Sequence, residues 1–224
     1  MDKGIKIWSR KSEQVNIDTS LALRFLRVRK EPDERTKEIF VSCVKEFLSV
    51  VSYKASYRYF DIKIDGSTVH FDDEMSLDSE KLSKNLESCK GAFVFVASTN
   101  SFVDMLIRKH NATNVTRALI IDAIGSAAIE CFVNDLCTKI AEENNVKLRP
   151  RFSPGYGDLG LITQKDVLRC CDSSRKIGVT LSERLMMIPR KSVSAIVGVR
   201  PQGEQCEVSS SCENCESLNC PYRE

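Results

Sequence analysis

Four cysteines, Cys206, Cys212, Cys215 and Cys220, fall close together near the C-terminal end of the 224-residue sequence. Five, two and four residues separate them, and Pro221 follows the last. Thiolates at that density can surround one tetrahedral zinc or ligate an iron–sulfur cluster. Structural zinc more often uses two close pairs separated by a longer loop. One close pair with looser outer cysteines, ending in Cys-Pro, leans towards iron–sulfur. Spacing alone does not fix the metal, and a tail of free thiols or incidental disulfides is the alternative.

Two further places carry usable chemistry. On a helix advancing about 100° per residue, Glu130 lies beside Ala123, Ala127 and Asn134, flanking an apolar arc centred on Ile120 and Cys131. A carboxylate bordered by small residues leaves room for a ligand; a boundary carboxylate reaching water or a lysine is the plainer reading. The loop Arg151-Phe152-Ser153-Pro154-Gly155-Tyr156 offers a guanidinium, a hydroxyl and backbone N–H groups. The planar fork of Arg suits a carboxylate, which accepts two parallel hydrogen bonds. A Pro-Gly turn with a surface arginine is the competing interpretation.

The flanking pattern predicts the elements that hold these groups. From Asp33, residues Ile39, Phe40, Cys43, Val44, Phe47, Leu48 and Val51 recur at helical steps. Residues 57–64 and 67–71 flank Asp65-Gly66, a hairpin signature. Residues 72–89 are polar, with Leu77, Leu82 and Leu86 near helical spacing, which predicts a surface helix. The apolar run 92–98 reads as a buried strand, and 114–142 as a long helix. Prolines and glycines make RPRFSPGYGDLG an ordered turn or a ligand-facing loop. Residues 163–171 predict a short helix with Thr163 and Asp166 at capping-box-like spacing, and 176–181 and 192–199 predict strands. Cys43 and Cys131 fall on apolar helical faces and are expected to be buried. From Arg200 the apolar content almost vanishes, dividing the chain into a domain at 1–199 and a Cys-rich tail at 200–224.

Bulk composition narrows the function classes. At 42% hydrophobic the chain is too apolar to be disordered, and no run approaches the ~20 apolar residues of a membrane span. A net charge of +2 gives no long-range pull on nucleic acid or anionic lipid. The opening MDKGIKIWSRK has no apolar run, so a cytoplasmic location is expected, where thiols stay reduced. Ten cysteines against two histidines, His70 and His110, argue for metal binding or inert burial and against a His-dependent triad. There is no evident nucleophile–base pair. The glycines of 155–160 follow a helix and an irregular segment, so they do not form a phosphate loop after a strand.

The loop from Arg151 to Tyr156 resembles the Arg-x-x-x-Gly-Tyr loop in the activation domain of cobalamin-dependent methionine synthase. DAIGSAAIECFVNDL at 122–136, GVTLSERLMMIPRKSVSAIVG at 178–198 and, more weakly, GAFVFVASTNSFVDMLI at 91–107 also fit, in the right order. The likeness is greatest to stand-alone proteins of that family. It implies a mixed α/β (α+β) domain with a twisted, largely antiparallel sheet and flanking helices. It also implies an S-adenosylmethionine site in which Glu130 faces the cationic part of the ligand and Arg151 its carboxylate. Ser153, Gly155 and Tyr156 belong to the same loop, with Ser153 and Gly155 giving close backbone approach. Gly157-Asp158-Leu159 depart from the Pro and Cys-Pro that usually follow, and a late-strand tyrosine is replaced near Val197. No N-terminal acidic contact can be placed in residues 1–90.

The Asp-x-His-x-x-Gly corrinoid signature is absent, so this chain is expected to hold no cobalamin of its own. By resemblance it would serve methionine synthase or a related corrinoid methyltransferase, supporting reductive reactivation and methylation of the partner's corrinoid. It would be a component of that activity, without a self-contained catalytic apparatus. The alternatives are an iron–sulfur electron carrier and a zinc-stapled adaptor, neither binding S-adenosylmethionine. No nucleic-acid or membrane partner is expected.

Overall fold

The computed structural model describes residues 1–28 and 32–200. Its centre is an antiparallel sheet. Strand β2 (Ser52–Asp65) is long enough to serve two partners on one edge. Its first half pairs with β1 (Lys6–Lys11), and its end pairs with β3 (Thr68–Phe71) across the Asp65-Gly66 turn. Gly66 sits at φ 59°, a conformation that glycine reaches without a Cβ clash. On the other edge β2 pairs with β5 (Gly91–Thr99), and β5 pairs with β8 (Ser192–Gly198). Strand β4 (Met75–Asp78) closes the order β4-β3-β2-β5-β8.

All nine residues of β5 are buried, because helices cover both faces. Phe93, Phe95 and Ala97 point to one side, with Tyr53, Tyr57 and Val197. Helices α1 (Thr19–Phe25), α2 (Glu34–Leu48), α4 (Ser101–Thr113) and α5 (Val115–Asn144) pack there. Phe132 of α5 stacks between Trp8 and Tyr53, with ring centroids 5.0 and 5.2 Å away. Ala92, Val94 and Val96 point to the other side, against α3 (Glu80–Asn85) and α6 (Gln164–Cys170). The period-2 alternation of a strand thus feeds two separate cores. The result is the mixed α+β architecture with a curled antiparallel sheet that the sequence leads one to expect.

Several local expectations change. Residues 72–89 form strand β4 and the short helix α3, and Leu77, Leu82 and Leu86 are buried. The near-helical spacing of the leucines concealed a strand-to-helix switch. Of the strand expected at 176–181 only β6 (Thr180–Leu181) forms, paired with β7 (Met187–Ile188), because α7 (Ser173–Ile177) takes the preceding residues. Thr163 makes no capping hydrogen bond; its hydroxyl donates to the Gly160 carbonyl at 2.8 Å. Cys43 is buried as expected, while Cys131 is only partly covered and accepts the Asp18 N–H at 3.4 Å.

Candidate functional site

Helix α5 begins at Asn114, whose side chain accepts the Arg117 N–H at 3.1 Å, and ends at Asn145 in the left-handed conformation. The chain then returns along the free edge of β8. Arg149 donates its N–H to Gly198, and Phe152 and Ile196 exchange both backbone hydrogen bonds at 2.9 and 2.8 Å. This ragged extra edge fixes side-chain direction. Phe152 is buried in the α6-side core, so its neighbour Arg151 projects to the α5 side.

There Arg151 Nη2 meets Glu130 Oε2 at 3.0 Å, with the two side chains 29% and 35% exposed. The structure therefore brings together the two residues expected to bind opposite ends of a ligand, and pairs them with each other. Neither has another hydrogen-bonding or ionic partner among the described residues. An ion pair this exposed contributes little to stability, so a ligand can displace it at low cost.

Upstream on the same helix, Asp122 pairs with Lys191 at 2.9 Å, and Lys191 also donates to Ser126 Oγ at 2.9 Å. The Lys191 stem crosses the helix at Gly125, where a Cβ would lie 3.2 Å from its Cγ. Asp122, Ser126 and Glu130, four residues apart, form a polar strip beside Ala123 and Ala127. Lys191 and Arg151 reach that strip from chain segments flanking β8. Cys137 lies two turns beyond Glu130. Burial pushes its thiol up, with Arg151 acting in the opposite sense and Glu130 adding to the rise.

The remaining loop residues behave differently from expectation. Gly155 (φ 85°) donates its N–H to the Leu159 carbonyl at 2.8 Å, and Tyr156 donates to Ser153 at 3.1 Å. These N–H groups close the turn and are not offered to an anion. The Ser153 hydroxyl and N–H have no partner among the described residues, so they are polar groups of the loop open to a ligand. Tyr156 is half exposed and packs edge-on against Phe152 at 5.5 Å.

Asp158, missed by sequence reasoning, lies in the departing segment Gly157-Asp158-Leu159. Its carboxylate accepts the Ser79 hydroxyl and the Glu80 N–H at 2.8 Å, anchoring the loop to the start of α3. The Ser79 hydroxyl, followed by backbone N–H groups, holds Asp158 below the usual carboxylate range. A contact spanning 79 residues leaves no local signal. Val197, near which the resemblance places a replaced tyrosine, is buried in the α5-side core. Asp18 comes near Cys131, but its carboxylate caps α1 through Ser20 and Leu21.

Cys206, Cys212, Cys215 and Cys220 lie outside the described residues. Among the described residues no group of His, Cys, Asp and Glu is assembled for a metal, and no helix is long and apolar enough to cross a membrane.

No family model matches the sequence, and no curated protein does either. Thirteen chains of solved structures match. One is a crystal structure of the MetH reactivation domain bound to AdoHcy, similar over 91% of this chain and 81% of that one. The TM-score is 0.71 at 12% sequence identity. The chain has the fold of that reactivation domain.

Proposed function

We propose that this chain binds S-adenosylmethionine, or AdoHcy, and supports reactivation of a corrinoid methyltransferase such as methionine synthase. The observation that carries the reading is the Glu130–Arg151 pair, one charge of each sign on facing elements, 3.0 Å apart. Its weight is increased by the shared fold with a reactivation domain whose solved structure holds AdoHcy.

The amino-acid end of such a ligand is a zwitterion. Its carboxylate takes the Arg151 fork and its ammonium takes Glu130, so the internal pair is exchanged for two new ones without stranding a charge. The Ser153 N–H and hydroxyl supply further donors beside Arg151. Ala123 and Ala127 leave room along the helix, and the carboxylate of Glu130 is the group suited to a neighbouring cationic sulfonium. When bound, S-adenosylmethionine supplies a methyl group; this chain binds and orients it, and the methyl acceptor belongs to the partner.

The test is an anaerobic calorimetric titration of S-adenosylmethionine and AdoHcy into wild type and Arg151→Ala. Saturable binding should weaken by about 1.5–3 kcal/mol in the variant, the scale of a lost charged hydrogen bond. A flat wild-type trace at millimolar ligand overturns the reading.

A second reading rests on the four tail cysteines, Cys206, Cys212, Cys215 and Cys220. In it the four thiolates would hold an iron–sulfur cluster, which would supply one-electron chemistry, or a zinc, which would staple an adaptor. Iron and sulfide in anaerobically purified protein support the carrier. Stoichiometric zinc lost in Cys215→Ser, in a protein whose wild type binds no S-adenosylmethionine, supports the adaptor.

A further inference from the structure

On the face of the sheet opposite Glu130 and Arg151 lies a cavity of about 520 Å³ between β2, the β3–β4 turn, α6 and β6. Its charged lining is Arg58, Lys165, Arg169 and Arg175 against Glu74 and Asp172. Arg175 and Asp172 pair at 2.9 Å and cancel. What remains is unbalanced. Arg58 meets the Glu74 carboxylate at 2.7 Å, and Arg169 donates to the backbone carbonyl of the same Glu74 at 2.7 Å. Two guanidinium groups therefore converge on one residue that carries a single carboxylate. Asp166, outside the lining, reaches Arg169 at 3.3 Å, while Lys165 has no carboxylate partner among the described residues.

Arg58 is also held rigidly. Its Nε donates to the Lys3 carbonyl at 2.7 Å, and its guanidinium carbon sits 4.8 Å from the centre of the Phe60 ring. Its side chain is 21% exposed. A fixed guanidinium loses little freedom when it binds, and a concave surface with more basic than acidic side chains favours anions. The other wall is apolar: Leu168, Cys170 and Val179 are buried there, with Leu181 and Ile5 beside them. A volume of this size holds a small organic molecule.

We propose that this cavity is a second binding site, distinct from the Glu130–Arg151 site, for an organic phosphate. The phosphate sits against Arg58, Arg169 and Lys165, and its organic part lies on the wall of Leu168 and Val179. The Arg58 and Arg169 forks, each with a carboxylate beside it, supply donors and Lys165 supplies the surplus charge for a phosphate, and the apolar wall distinguishes a phosphate ester from the free ion.

The experiment is a titration of the full chain with phenyl phosphate, inorganic phosphate and phenol at low ionic strength, followed by NMR shifts or calorimetry. Phenyl phosphate should bind saturably and more tightly than inorganic phosphate, with phenol showing no binding. Arg169→Ala should weaken it by ~10-fold or more and Lys165→Ala by a few-fold, as expected for exposed charged contacts. Both side chains are on the surface, so neither variant should unfold. Arg151→Ala should leave phenyl phosphate binding unchanged. Equal binding of inorganic and phenyl phosphate removes the organic part of the proposal. No wild-type binding at about 10 mM, well beyond a useful affinity, overturns it. So does an affinity that Arg169→Ala and Lys165→Ala do not alter, or a loss in Arg151→Ala alone.

Discussion

The two faces of the sheet treat charge in opposite ways. On the α5 face Glu130 and Arg151 neutralise each other, and Asp122 and Lys191 do the same two turns earlier. On the α6 face Arg58 pairs with Glu74 and Arg169 with Asp166, and Lys165 is left over. A balanced pair selects a ligand that is itself balanced, because an ion of one sign would strand the other partner. A surplus selects a net charge. On the two proposals made above, the same sheet would present a zwitterion site and an anion site without either competing for the other's ligand.

Four changes test that contrast, in falling order of effect. Phe132→Ala removes the ring between Trp8 and Tyr53 and should cost about 3–5 kcal/mol, the range for a buried Phe. Because α5 is the wall of the balanced site, chemical denaturation should show AdoHcy binding lost before the cavity near Arg169 opens. A single coincident transition would show instead that the two faces unfold as one. Arg151→Ala comes next, with the 1.5–3 kcal/mol loss in ligand binding given above and no change at the other face.

Gly155→Ala is third. At φ 85° an alanine is strained, and its Cβ would stand 3.2 Å from Leu161, so a stability loss of about 1–2 kcal/mol is expected. Its thermal melt should fall while the Arg169 cavity keeps its anion affinity. The smallest effect is that of Asp158→Asn. The carboxylate lies below its ordinary value of 3.8 because Ser79 and backbone N–H groups favour the charged form. Its stabilisation is therefore complete above that ordinary value and lost as pH falls through the lower folded value. Wild type and variant should differ slightly in melting temperature at neutral pH and converge in strong acid. A gap that persists in acid would assign Asp158 a role other than its charge.

Elements whose pattern is local were legible in the sequence. The apolar run of β5, the Asp65-Gly66 turn and the long periodic stretch of α5 each carry their signal within a few residues. Leu77, Leu82 and Leu86 misled because one strand residue and two positions around a short helix mimic a single helical face. Glu130 and Arg151 were found by type and by resemblance, but their mutual pairing was not. It depends on Phe152 bonding to Ile196, a register between segments 44 residues apart, and no local spacing encodes that. The inward turn of the Gly155 and Tyr156 N–H groups was hidden for the same reason. Asp158 read as a loop residue because its partner is in another part of the chain.

The bond between Phe152 and Ile196 also sets an order of assembly. Ribosomal synthesis runs from the N-terminus, and domains fold as their residues emerge. Glu130 is made well before β8, yet nothing fixes Arg151 against it until Ser192–Gly198 has been added and seated beside β5. A nascent chain halted before β8 would carry the carboxylate, the helix and the loop but no organised guanidinium. The Glu130–Arg151 pair thus depends on the last strand of the sheet, and the proposed binding there would report that β8 is seated.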